Sequence, residues 1–117
     1  MREVEPNEPL DGEHLFSYLK ELRELLEATY SEEDFSAYDI VEIVDIQAFG
    51  YMARGYILGI HDAYNEELFD SKNAILGQLR DIVFKYLKSN PKERHELAGD
   101  IVIKALQEAF PIKNKKK

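Results

Sequence analysis

Cysteine is absent from the 117 residues, which excludes a disulfide framework and thiolate ligands for zinc and fits a reducing compartment. No apolar run approaches the roughly 20 residues that cross a bilayer, so we expect no membrane insertion. The start, Met1–Asp11, is acidic and lacks the basic and then apolar pattern of an export signal. The sequence as given therefore predicts a cytoplasmic protein, and a periplasmic one if an export signal has been removed.

Positive charge is scarce in the first part of the chain. Residues 1–71 contain 18 acidic and 4 basic residues, whereas residues 72–117 contain 5 and 11, and the net charge is −8 at pH 7. An acidic surface repels phosphate backbones and favours basic partners. The charge pattern therefore argues against nucleic acid as a ligand and favours a protein partner.

The length and the composition, 44% hydrophobic and 32% charged, are typical of one globular domain. We therefore predict a single helical domain over residues 1–117. Residues 1–10 contain two prolines and little apolar spacing, which indicates a mobile lead. Residues 113–117 contain four lysines and are expected to form a solvated basic tail.

Apolar residues recur with helical spacing in four segments. Asp11 is expected to cap a first helix that ends near Thr29. The second segment, from Phe35 to Tyr64, is rich in β-branched residues at its start, but a lone strand would lack a partner, so we predict a helix. A third helix follows and ends near Ser89. A fourth helix is predicted to run from a cap at Asn90 to Phe110, with Pro91 at the first helical position.

The short link between the last two segments predicts that these helices lie antiparallel and side by side. With the first two helices they complete an all-α fold, a small four-helix bundle ending in a helical hairpin. Small residues in the second helix recur every fourth position, which predicts a furrow that another helix approaches closely, in the bundle or in a homodimer. This predicted helix-packing motif consists of Gly55, Tyr56, Gly59, Asp62 and Ala63.

The order of several short motifs resembles a known family. The stretch from Gly55 to Ala63 is followed by Leu76-Gly77-Gln78-Leu79, then by Tyr86-Leu87 and Pro91, and finally by Ala105-Leu106 with Ala109-Phe110-Pro111. Over residues 48–111 this series is similar to the Tai-type immunity proteins of type VI secretion, which neutralise peptidoglycan amidase toxins. The resemblance implies an all-helical, commonly dimeric protein that blocks a toxin's active site and is not itself an enzyme.

A catalytic or metal site is the competing interpretation of His61, Asp62 and Glu66. Metal pairing on one helix face needs ligands three or four residues apart, yet the residue four beyond His61 is Asn65. Asp62 is expected instead to accept a hydrogen bond from the backbone, from Tyr56 or from Arg54. We therefore predict no enzyme activity, no metal and no cofactor, and an enzyme with paired carboxylates remains a minor alternative.

Aromatic residues stand beside acids in the middle of the chain, which is typical of a protein-binding surface. We predict that the acidic connection after the second helix contacts the partner through Tyr64, Asn65, Glu66, Glu67, Phe69 and Asp70. The leading hypothesis is an immunity-like inhibitor that plugs a toxin groove. The alternative is a cytoplasmic structural or adaptor domain of the same fold that binds a different protein.

Overall fold

The computed structural model describes residues 9–30 and 38–112, and these residues form four α-helices. The helices are α1 (Gly12–Tyr30), α2 (Ile40–Tyr64), α3 (Leu76–Ser89) and α4 (Ala98–Ala109), and the short 3₁₀ helix Pro91–Glu93 precedes α4. The predicted all-α bundle is confirmed. The predicted basic tail lies outside the described residues, as does the predicted lead apart from Pro9 and Leu10.

The first helix begins where the sequence predicts. The Asp11 carboxylate accepts a hydrogen bond from the His14 backbone N–H at 2.9 Å, which satisfies a free donor of the first turn. Burial raises the pKa of Asp11, but the hydrogen bonds from His14 outweigh burial and lower the pKa below its ordinary value. The predicted apolar stripe consists of Leu15, Tyr18, Leu19, Leu22, Leu25 and Leu26. All of these residues are buried except Leu26, which is half-buried.

The second segment is a helix and not a strand, as predicted. It begins at Ile40, where the Asp39 carboxylate accepts from the Glu42 backbone N–H at 2.8 Å and caps the helix, and the predicted start at Phe35 lies outside the described residues. Only three α2 residues are buried, namely Gly50, Ala53 and Ile57. No helix among the described residues is both long and apolar enough to cross a membrane.

The prediction that Asn90 and Pro91 open the fourth helix is wrong, because α4 begins at Ala98. The Asn90 amide instead donates to the Tyr86 carbonyl at 2.8 Å and so caps the end of α3. The segment before α4 pairs with the start of α1: the backbone N–H of Gly12 donates to Glu96 O at 2.9 Å. Continuing α4 backward through this segment would remove that pairing.

The Leu10 carbonyl completes this junction by accepting from the Ala98 N–H at 2.8 Å. Leu10 also packs against the core. Leu10, the last residue of the predicted lead, is thus held by a backbone hydrogen bond and by apolar packing. Buried residues from each of the four helices and Phe69 of the α2–α3 connection form one hydrophobic cluster.

Gly50 is the α2 glycine that the bundle requires. A Cβ atom at Gly50 would lie 2.6 Å from Leu22 Cβ of α1, whereas a Cβ at Gly55 would meet no atom of the described residues within 4 Å. We expect Gly50→Ala to lower the free energy of unfolding by about 1–3 kcal/mol through overpacking. Gly55→Ala is the matched control and is expected to raise the free energy of unfolding by about 1 kcal/mol, because alanine has the higher helix propensity. Urea unfolding at low protein concentration measures both, and equal effects would contradict this packing.

Candidate functional site

The connection between α2 and α3 starts with a tight turn that carries two acids. The Leu68 N–H donates to Tyr64 O at 2.9 Å, and the Glu66 N–H donates to Phe69 O at 2.6 Å. Glu66 has a φ of 74°, a left-handed conformation that is uncommon for a residue with a side chain. The turn leaves Glu66 and Glu67 exposed at the surface.

A buried serine holds this turn to the end of α2. Ser71 is 2% exposed, and its Oγ lies 2.6 Å from His61 Nε2. The Asn65 Oδ1 accepts from the Ser71 backbone N–H at 3.0 Å. His61 Nδ1 lies 2.9 Å from Asp62 Oδ1 on its other side. Because each polar group here has a partner, the hydrogen bonds fix the turn relative to α2.

The contacts within His61, Asp62 and Ser71 resemble those of a nucleophile, a base and its orienting acid, but burial assigns them a structural role. A nucleophile must reach the substrate, and Ser71 is almost fully covered. Asp62 contacts His61, and within the described residues it accepts no hydrogen bond from Tyr56 or Arg54 of the same chain. Within residues 9–30 and 38–112 no three potential metal ligands come together.

Phe69 is an anchor and not a contact residue. Its side chain is fully buried in the core, and its ring stacks on His61 with centroids 5.9 Å apart. The prediction that Phe69 contacts a partner is wrong, because the turn folds back and directs this ring inward. Asn65 is half-buried and accepts a hydrogen bond from Ser71, and Asp70 is half-buried and forms an ion pair with Lys72. Of the predicted contact residues, Tyr64, Glu66 and Glu67 are exposed.

The predicted glycine furrow faces outward. Gly55, Gly59 and Ala63 are exposed, and Cβ atoms built at the two glycines would meet no atom of residues 9–30 or 38–112 within 4 Å. No helix that the structure describes packs in this furrow, so the bundle alternative is wrong for the described helices, and the homodimer alternative stays a prediction. Tyr56 is the motif residue that does pack inside the chain, since its hydroxyl lies against Gly99 of α4. Burial raises the pKa of Tyr56.

Large apolar side chains continue the furrow toward the start of α2. Together they form a surface that we call the outer face, opposite the buried residues of this helix. A helix that is apolar on opposite sides is typical of one covered on both. The exposed large members of the outer face are Ile40, Val41, Val44, Tyr51 and Met52.

An acidic cleft of about 290 Å³ lies between α1 and the first half of α2. Its walls carry Glu21 and Glu24 of α1 and Glu42 and Asp45 of α2. The cleft and the turn at Glu66 and Glu67 are thus two acidic surfaces that suit a basic partner. The cleft was not predicted, because it depends on how α1 and α2 pack.

Comparison with protein families gives a match over residues 42–112 to the model of the Rap1a immunity proteins. The matched interval contains most of α2, the acidic turn, α3 and α4, and it agrees with the predicted kinship over residues 48–111 at the level of immunity proteins of secretion systems. No curated protein and no solved structure matches the chain significantly. Since the matched interval spans more than half of the sequence, this chain belongs to the family of Rap1a immunity proteins.

Proposed function

We propose that this immunity protein neutralises a peptidoglycan amidase toxin delivered by type VI secretion, as the resemblance to the Tai-type proteins implies. Membership in an immunity family supports binding of a toxin protein. The observation that carries the proposal is the rigid acidic turn. Its base is fixed by Phe69 and Ser71, while Glu66 and Glu67 project from it. A preorganised projection loses little conformational freedom on binding and suits insertion into a groove.

The turn is a better candidate than the acidic cleft because of its position relative to the family match. The turn lies entirely within residues 42–112, whereas the cleft depends on Glu21 and Glu24 of α1, outside that interval. Tyr64 stands beside the turn and is 37% exposed, so its ring adds apolar contact next to the charges. The proposed mechanism is steric: the turn occupies the active-site groove and keeps peptidoglycan out.

Titration calorimetry of the full chain against the amidase toxin encoded beside its gene tests this proposal. We expect a stable complex and loss of amidase activity on isolated peptidoglycan. A chain that binds no amidase would contradict the proposed target, and binding that leaves the amidase active would contradict the steric mechanism.

We also propose that two copies associate through the outer face of α2. Its first half carries the larger side chains Val41 and Val44, and its second half carries Gly55, Gly59 and Ala63. Antiparallel pairing of two α2 helices about their midpoint, residue 52, places the large half of one against the small half of the other. Glycine permits close approach of the helix axes, so this pairing covers the outer face efficiently.

Val44→Asp is expected to weaken self-association by about 100-fold or more, because it places an unpaired carboxylate within an apolar contact. Asn73→Asp is the control, since it adds the same charge at an exposed residue of the α2–α3 connection. Analytical ultracentrifugation measures both. The homodimer is wrong if the unsubstituted chain is a monomer at every concentration, and the interface is wrong if Val44→Asp leaves a dimer intact.

A further inference from the structure

A second cavity combines apolar walls with three arginines. It has a volume of about 230 Å³ and lies between α1, α2 and α3. Its apolar walls are Leu19, Leu22, Leu26 and Phe84. Arg23, Arg54 and Arg80 reach it from three different helices, so positive charge is concentrated in a chain whose net charge is −8. The charge that a ligand of this cavity must carry depends on how many of the three arginines already pair with a carboxylate of the protein.

Two of the three arginines have a carboxylate of their own. Arg23 Nε lies 3.5 Å from Glu27 Oε2, and Arg80 contacts Asp81 Oδ1 through Nε at 3.2 Å and Nη2 at 3.1 Å. Both carboxylates also line the cavity, so the lining has one positive charge in excess. That excess belongs to Arg54.

Arg54 makes no ion pair with any residue that the structure describes. Its Nε is buried and has no hydrogen-bond partner there, while its guanidinium lies 5.2 Å from the centre of the Tyr51 ring. Burial and then the nearby Arg80 lower the pKa of Arg54. Arginine nevertheless stays charged, so this is a half-buried cation with donors to offer. A carboxylate accepts such donors in a bidentate geometry.

We propose that this cavity receives an acidic side chain of the toxin, a glutamate or aspartate beside an apolar residue, with Arg54 as its main cation. The apolar walls hold the neighbouring aliphatic atoms, and the guanidinium fork of Arg54 binds the carboxylate. The site would thus complement the acidic turn, which selects basic groups of the same toxin. The identity of the partner rests on the proposed toxin binding.

The volume and the position of the cavity favour a protein side chain over other anions. A volume of 230 Å³ is below the roughly 300–1,000 Å³ of small-molecule sites and fits one or two side chains. A second copy of the chain is a poor source of the carboxylate. Pairing of two α2 helices about residue 52 brings residue 50 of the second copy opposite Arg54. Residues 46–53 carry no carboxylate, so the homodimer leaves Arg54 available.

Blocked dipeptides test the site without the toxin. Acetyl-Leu-Glu-amide and its uncharged analogue acetyl-Leu-Gln-amide would be titrated into the ¹⁵N-labelled full chain while the Arg54 Nε–H resonance is followed. We expect saturable binding of the glutamate peptide, about 10-fold or more tighter than that of the glutamine peptide. Arg54→Met, which keeps the stem, is expected to remove this preference, whereas Lys85→Met on the exposed side of α3 keeps it.

Equal affinity for the two peptides, or unchanged binding by Arg54→Met, would overturn the carboxylate site. Tighter binding of hexanoate than of the glutamate peptide would identify a free small carboxylate as the ligand and overturn the protein source. Dissociation of a dimer by Arg54→Met would identify the second copy as the occupant. The titration contains no toxin, so it tests the carboxylate site independently of the proposed amidase target. If only the amidase target is wrong, the peptide binds and the amidase does not.

Discussion

Phe69→Ala is expected to lower the free energy of unfolding by about 3–5 kcal/mol, the usual cost of removing a buried phenylalanine. Phe69 is fully buried and stacks on His61, so the substitution opens a cavity beneath the acidic turn. It also removes the apolar anchor that holds the turn against the core. Urea unfolding followed by circular dichroism gives the change in stability.

Tyr64→Ala is the matched control for this prediction. Tyr64 precedes the same turn but is 37% exposed, so we expect its removal to change stability by less than about 1 kcal/mol. The two variants therefore separate anchoring from contact: Phe69→Ala unfolds the chain more easily, and Tyr64→Ala weakens toxin binding. A loss below about 1 kcal/mol for Phe69→Ala would contradict the anchored turn.

The double variant Glu66→Lys with Glu67→Lys is expected to weaken toxin binding roughly 100-fold at low ionic strength. Reversed charges at the tip of the turn would repel a basic groove, and salt would reduce the effect by screening. Both side chains are exposed, so the stability of the chain should change little. Calorimetric titration at two salt concentrations measures the loss of affinity and its salt dependence.

The double variant Glu42→Lys with Asp45→Lys makes the same change in net charge within the acidic cleft. It therefore controls for the overall electrostatic field of the chain. If the turn makes the contact, this variant loses no more than a few fold in affinity for the toxin. A loss equal to that of the Glu66 and Glu67 variant would show that overall charge, and not the turn, determines binding.

Apolar periodicity was sufficient to predict the helices because burial on one side of a helix leaves a 3.6-residue pattern in the sequence. The stripe of α1 and the choice of helix for α2 follow from this pattern. The start of α4 does not, because Asn90 can cap either neighbouring helix. The backbone pairing of Gly12 with Glu96, which joins residues far apart in the sequence, determines the outcome.

The candidate site was less accessible to prediction from sequence. Ser71 gave no signal, since its importance comes from contacts with His61 and Asn65 that exist only in the folded turn. Phe69 stands among acids as an interface aromatic would, and the turn's reversal of direction is what buries it. The spacing of Gly55 and Gly59 predicts close helix packing but does not show whether these glycines face the bundle or the surface.

Amidase hydrolysis of isolated peptidoglycan, measured with increasing amounts of the full chain, is the decisive test of steric inhibition by the acidic turn. We expect the toxin to lose its activity at an equimolar ratio of chain to toxin. We also expect the Glu66 and Glu67 variant to leave the toxin active and the Glu42 and Asp45 variant to inhibit it. Full amidase activity in an excess of the unsubstituted chain would show that the turn does not block the toxin.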